Sequence, residues 1–329
     1  MTKVLAETKE EFLAELDDQL RHRLTGKQVG VVAEFAHAYF AGVSVRELQH
    51  QQWDDLHGSV LSCWRFFQRF DAESAAIRVI NPTYEEDGWQ SGHTIIEVVS
   101  SDYPFLVDSI RMEIIRRDIT IHGIHSAVLG VKREGGSISI GDAFPQKEAV
   151  MHLEIDRQSS SKTRRDLKSE IAGVLDLVTM AVGDFSSMRE KLSNVKESLR
   201  AKSVPLSPTE LKEACGFLDW LDNDSFTYLG YAEFTQGPRS TKSKRTKDSG
   251  LGIVNSKGLK FPQESVSYAT VINFCKSPIK SRIHRPVYLD VINVNRYNGS
   301  GEVDGAHRFI GLYTARVYTQ SPTDIPIVE

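Results

Sequence analysis

Apolar residues recur at helical spacing in three stretches near the start of the chain. In Lys9–Arg23, Phe12, Leu13, Leu16 and Leu20 form one stripe. Residues 31–39 and 53–70 repeat the pattern, and in the second Trp53, Leu56, Val60, Leu61, Trp64 and Phe67 keep one phase. The short gaps between them predict a small helical bundle over residues 1–75. The period then shortens. Residues 77–81 read as extended, and Asn81-Pro82 as a turn. Residues 94–100 (TIIEVVS) are rich in β-branched side chains and read as a strand. Asp102 as N-cap and Pro104 in the first turn predict a helix over 105–116, with Leu106, Ile110 and Ile114 inward. Residues 119–132 are extended, Gly135-Gly136 is a turn, 137–140 continue a hairpin and 150–155 form a further strand. After Ser159–Ser161 comes a helix over 162–182, with Leu167, Ile171, Val174, Leu175 and Val178 in phase. The order is strand, helix, strand, strand, helix, with one short strand left unplaced. It predicts a ferredoxin-like βαββαβ sandwich over 76–183, with helices on one face of an antiparallel sheet.

Residues 184–202 read as a more polar helix, and 203–208 as a linker with two prolines, so 184–207 separates two domains. Ser207 is a fitting N-cap for a helix over 208–221. From Phe226 onward the chain reads as β, with strands at 226–234, 251–254, 270–274, 287–297 and 308–318. Asn298-Gly299-Ser300-Gly301 makes the hairpin turn before the last of them. The expected class is α+β: N-terminal helices, then the βαββαβ domain, then an antiparallel-sheet domain over 208–329. The apolar residues 325–328 begin a segment that leads nowhere, which suggests a piece of a longer polypeptide.

Composition narrows the function. The chain has 329 residues, 40 Lys+Arg against 44 Asp+Glu and a net charge of −4, which gives no sign of a general nucleic-acid binder. No apolar run approaches the ~20 residues of a membrane span. Cys63, Cys215 and Cys275 are too few and too far apart for a disulfide frame or a cysteine-built zinc site, and with no apolar leader in the first ten residues they suggest a cytoplasmic protein. No GxGxxG, GxxxxGK[ST], GxSxG or HExxH is present. His122 and His125 form HxxH on an extended segment, where they point to opposite faces and read as strand-edge residues. His93, His152, His284 and His307 are scattered. The basic run Arg239, Lys242, Lys244, Arg245 and Lys247 lacks interleaved aromatics and reads as a solvated loop, an anion or nucleic-acid contact being the alternative.

Three stretches resemble the amino-terminal region of the large NAD-specific bacterial glutamate dehydrogenases. They are HTIIEVVSSDYPFLVDSIRMEIIRR (93–117), FLDWLDNDSFTYLGY (217–231) and RIHRPVYLDVINVNRYNGSGEVDGAHRFIGLYTARVY (282–318). DDLHGSVLSCWRFFQRF (54–70) and GWQSGHT (88–94) fit the same region. The likeness runs from about Trp53 onward. It implies an ACT-like domain, a PAS-like domain and no catalytic site in this chain. The NAD-binding core, which interconverts L-glutamate and 2-oxoglutarate plus ammonium, would lie further along the same polypeptide. It implies a homo-oligomer and an amino-acid effector as partners, or a pure assembly scaffold as the alternative. In ACT domains the loop after the first strand often reads Asp, any residue, Pro, Gly, Leu, Leu. Here it is Asp102, Tyr103, Pro104, Phe105, Leu106 and Val107, with Phe105 where the pattern has glycine. Two roles stay open for it: binding an effector, or capping the helix and packing an interface. Arg282, His284 and Arg285 match a family motif and are candidates for an anion or interdomain contact, or for pairing with Asp290 or Glu302.

Overall fold

Thr8 opens the first helix. Its hydroxyl accepts the Glu11 N–H while the Glu11 carboxylate accepts the Thr8 N–H, which satisfies two otherwise orphaned donors. The computed structural model describes residues 3–24, 28–201, 204–236, 243–261 and 270–319. Four helices come first: α1 (Lys9–Arg23), α2 (Gln28–Ala41), the short α3 (Val45–Gln49) and α4 (Trp53–Gln68). Phe12 stacks on Trp53 at 5.1 Å and meets the edge of Phe40, so α1, α2 and α4 share one aromatic core. The chain then divides into two compact units, residues 1–175 and 176–329.

In the first unit follow β1 (Ala76–Ile80), β2 (Thr94–Ser101), α5 (Leu106–Ile115), β3 (Ile121–Glu134), β4 (Ser137–Ile140), β5 (Lys147–Ile155) and α6 (Ser161–Gly183), the last running past the unit's end. The sheet order is β1-β2-β5-β3-β4, and every pair is antiparallel. The strand that periodicity left unplaced is β1, which comes before β2 in the chain rather than after α6. Residues 94–100 are all buried, because both faces of the sheet are covered. One face sends Val99, Val150, Leu129 and Val131 into a core shared with Phe35, Val60 and Phe67 of the opening helices. The other carries Ile96, Val98, Met151 and Leu153, while α5 and α6 bury Ile110, Ile114, Leu167 and Ile171.

The second unit holds α7 (Phe185–Leu199), α8 (Pro208–Trp220), a π-helical turn over Leu221–Ser225, β6 (Phe226–Thr235), β7 (Lys244–Arg245), β8 (Leu251–Gly252), β9 (Ile272–Lys280), β10 (Tyr288–Tyr297) and β11 (Val303–Tyr313). Its antiparallel sheet runs β7-β6-β11-β10-β9, with β8 also on β6. Tyr231, Phe309 and Ile292 align across three strands and pack with Met188, Leu192, Phe217 and Leu218 of α7 and α8. The last strand lies earlier than the expected 308–318. Pairing with β6 from Gly305↔Thr235 to Tyr313↔Phe226 sets its bounds, and glycine and alanine at 305–306 mask its start in the sequence. The two units together are α+β. Among the described residues no single helix is long and apolar enough to cross a membrane.

Candidate functional site

The loop between β2 and α5 comes first. The Asp102 N–H donates to Lys147 O at 3.0 Å, which ties the loop to β5. Asp102 is not the N-cap of the helix. That place belongs to Phe105, three residues on, with φ 72° and no side-chain cap, and α5 begins at Leu106, so Pro104 stays outside the first turn. Phe105 thus holds the left-handed backbone that glycine adopts without steric cost. The Ser109 N–H reaches Phe105 O at 3.0 Å and closes the first turn. Asp102, Tyr103, Phe105, Leu106 and Val107 line a cavity of about 180 Å³, whose other wall is Ser126 and Val128 of β3 with Ala149 and Met151 of β5. Pro104 is exposed and outside that wall.

The opposite face of the same sheet carries a polar row that the sequence did not reveal. Cross-strand register places Arg78 beside Glu97, Glu97 beside His152, and His152 beside His125. The Glu97 carboxylate is fully buried and accepts from Arg78, whose Nη2 also donates to Ser62 Oγ at 3.0 Å. His152 Nδ1 lies 3.3 Å from Glu97 Oε1 and 2.8 Å from the Tyr39 hydroxyl on α2. The His125 and His152 rings stack at 4.6 Å. Next to them His93 bonds Glu154 at 3.0 Å, His122 bonds Asp156 at 2.7 Å, and those two rings stack at 4.4 Å.

Burial sets the titration of this cluster. It pushes the Tyr39 hydroxyl and the Cys63 thiol well up. It pushes His125 well below the usual imidazole range, and neighbouring His152 adds to that fall. For His152 burial pulls downward too, but hydrogen bonding to Glu154 and Glu97 outweighs it and raises the value. Hydrogen bonding to His152, against the opposing effect of burial, holds Glu154 at about 2. With His152 3% exposed and Glu97 sealed, the row meets no substrate. Its chemistry is internal: it fastens α2 and α4 to the sheet through hydrogen bonds to the Tyr39 and Ser62 hydroxyls. Among the described residues no group of three or more His, Cys, Asp and Glu could hold a metal.

The second unit places Arg282, His284 and Arg285 together in the turn between β9 and β10. Arg285 Nη2 donates to Tyr313 O, and His284 takes φ 65°. Asp290 pairs with Lys276. In the basic run, Arg239 and Lys242 lie outside the described residues. Arg245 donates to Val254 O at 3.0 Å and Asn255 Oδ1 at 2.7 Å, so it closes its own loop.

Residues 35–171 match the domain family described as "Glutamate dehydrogenase, ACT1 domain". Across 98% of its length the chain is 36% identical to the NAD-specific glutamate dehydrogenase of Halomonas elongata and 35% identical to that of Pseudomonas aeruginosa. It spans 21% of the length of each of these curated relatives. The chain is thus homologous over nearly its whole length to a region of the NAD-specific glutamate dehydrogenases, and residues 35–171 of it match the ACT1 domain family.

Proposed function

We propose that the chain is a non-catalytic regulatory and assembly region of a large NAD-dependent glutamate dehydrogenase. Its ACT-like part is 76–183 and its PAS-like part 208–329, with 184–207 between them. The full cytoplasmic enzyme converts L-glutamate and NAD to 2-oxoglutarate, ammonium and NADH with residues that this chain does not include. An amino-acid effector binds at the cavity formed by Asp102–Val107. The observation that carries this reading is the cavity itself, set at the start of α5 with Ser126, Val128, Ala149 and Met151 opposite. An effector carboxylate there meets the positive end of the helix. Because the same loop is tied to β5, occupancy biases the unit between conformations and so alters the enzyme's active population. Titration calorimetry with amino acids and organic acids tests this. One ligand should give saturable heat that Val107→Trp, which fills the cavity, abolishes; flat heats across the panel exclude effector binding.

A second reading, assembly without an effector, is favoured by the edge of β3. β4 reaches only residues 131–134, so residues 121–130 have no partner strand on the side away from β5 among the described residues. Ile124 and Val128 are exposed there. Open strand edges attract other strands, and a second copy of the chain would close this one. Light scattering that shows a monodisperse monomer at high concentration rules this out.

A further inference from the structure

A cavity of about 410 Å³ opens among the C-terminal half of α4, β1, the loop after it, and α6. It is separate from the loop after β2. Arg65 on α4 and Arg69, the residue that caps its C-terminus, lie one turn apart and so share a face. Lys168 reaches the same space from α6. None of these three cations forms an ion pair or a side-chain hydrogen bond with a described residue. The negative end of α4 accounts for two cations near its C-terminus. It does not account for a third brought in by a different helix. Three like charges around one small space repel each other, and the two carboxylates on the same wall, Glu86 and Asp87, offset only part of that repulsion.

The rest of the wall narrows the class of anion. Arg78 is already neutralised by Glu97, and its guanidinium lies 4.9 Å above the Phe66 ring. Phe66 and the buried Ile77 therefore make an apolar floor under the cations. Glu86 and Asp87 stand on the wall as well, and Asp87 Oδ2 accepts the Thr83 N–H at 3.1 Å. Two carboxylates against three free cations leave a small positive excess, suited to a compact anion rather than a long polyanion. Arginine forks bind phosphate or carboxylate oxygens two at a time, and lysine adds a point charge.

We propose that this cavity binds a small oxyanion of two or three charges, either a phosphate compound or a polycarboxylate, held by Arg65, Arg69 and Lys168. Calorimetric titration of the whole chain with pyrophosphate and with citrate, at constant ionic strength, separates the two sources. Saturable one-to-one binding of either probe is the expected result. The Arg65→Ala/Arg69→Ala double variant should weaken it by about tenfold or more, since each lost charge-assisted contact removes on the order of 1 kcal/mol or more. Glu86→Gln should tighten binding, because it removes a like charge. Lys168→Glu provides an independent second variant, also at an exposed position, and should abolish binding. Flat titrations with both probes, or unchanged affinity in variants whose circular dichroism and melting match the parent, overturn the proposal. Amino-acid heats at the Asp102–Val107 cavity should persist in these variants, so failure here is distinguishable from failure there.

Discussion

Glu97 faces two basic groups at once, Arg78 and His152, from a position with no access to water. A buried charge of this kind is tolerated only while its partners remain. Glu97→Ala leaves Arg78 and His152 without their shared anion and should destabilise the first unit by about 3–5 kcal/mol in urea unfolding. The paired replacement Arg78→Met/Glu97→Leu should cost much less, and a double variant as unstable as the single one would refute the ion row as its source. The row also has a pH signature. The Glu154 carboxyl, at about 2 when folded against its ordinary 4.5, contributes stability that is complete above 4.5 and is lost as pH falls toward 2. His125 acts in the same direction higher up: below its ordinary 6.5 the unfolded chain takes a proton that the buried ring resists, so stability falls. His152 has the opposite sign; its contribution is complete below 6.5 and fades as pH rises through its raised folded value. Glu154→Gln should flatten the acid limb below pH 4.5 and also shrink the His152 contribution, which Glu154 helps to raise, as followed by denaturation midpoints across pH. Little of this was legible beforehand. His93 and His152 are far in sequence from His122 and His125, and only the register Glu97↔His152↔His125 brings the strands that carry them together.

Helices were easier to read than sheet order, because a helical stripe is local and a sheet neighbour is not. The phase of Trp53, Leu56, Val60, Trp64 and Phe67 is the buried face of α4. Residues 77–81 read as extended, yet nothing local says that β1 lies on the outer side of β2. At the start of α5 the sequence was half informative. It marked Phe105 as the residue that stands where ACT loops have glycine, and the backbone there has the left-handed φ of 72°. It also put the cap at Asp102, since a favourable residue type and a following proline outweighed the true start at Leu106. A left-handed non-glycine residue costs roughly 1–2 kcal/mol, and glycine in its place gives back about 0.5–1 kcal/mol in unfolded-chain entropy. Phe105→Gly should therefore change stability by no more than about 1.5 kcal/mol. Phe105→Val retains more carbon but suits this φ worse, so it should be the more destabilising of the two. Urea midpoints for the pair decide it, and the reverse ranking would mean that ring packing, not backbone, governs the loop.

Across the whole molecule, the boundary that matters is where the cores close. Sequence periodicity separates a helical segment at 1–75 from the sandwich at 76–183. The packed core does not respect that line: Phe12, Phe35, Val60 and Phe67 share one cluster with Val99, Leu129, Val131 and Val150. The ion row crosses it too, through Tyr39 to His152 and Ser62 to Arg78. The family match itself begins at residue 35, inside α2. A fragment of 76–183 would face water with Val99, Val150 and a sealed carboxylate that has lost its covering helices. Exposed apolar area costs about 25 cal/mol per Å², so this piece should be molten or aggregated, with weak near-ultraviolet dichroism. A fragment of 1–183 keeps both faces of the sheet covered and should melt cooperatively. Among the described residues, the buried members of the second core run from Met188 to Phe309, so 184–329 should fold by itself as well. If 76–183 gave the same sharp melting and amide protection as 1–183, the opening helices would be an appendage. The buried row from Arg78 to His125 would then need another reason to exist than joining them to the sheet.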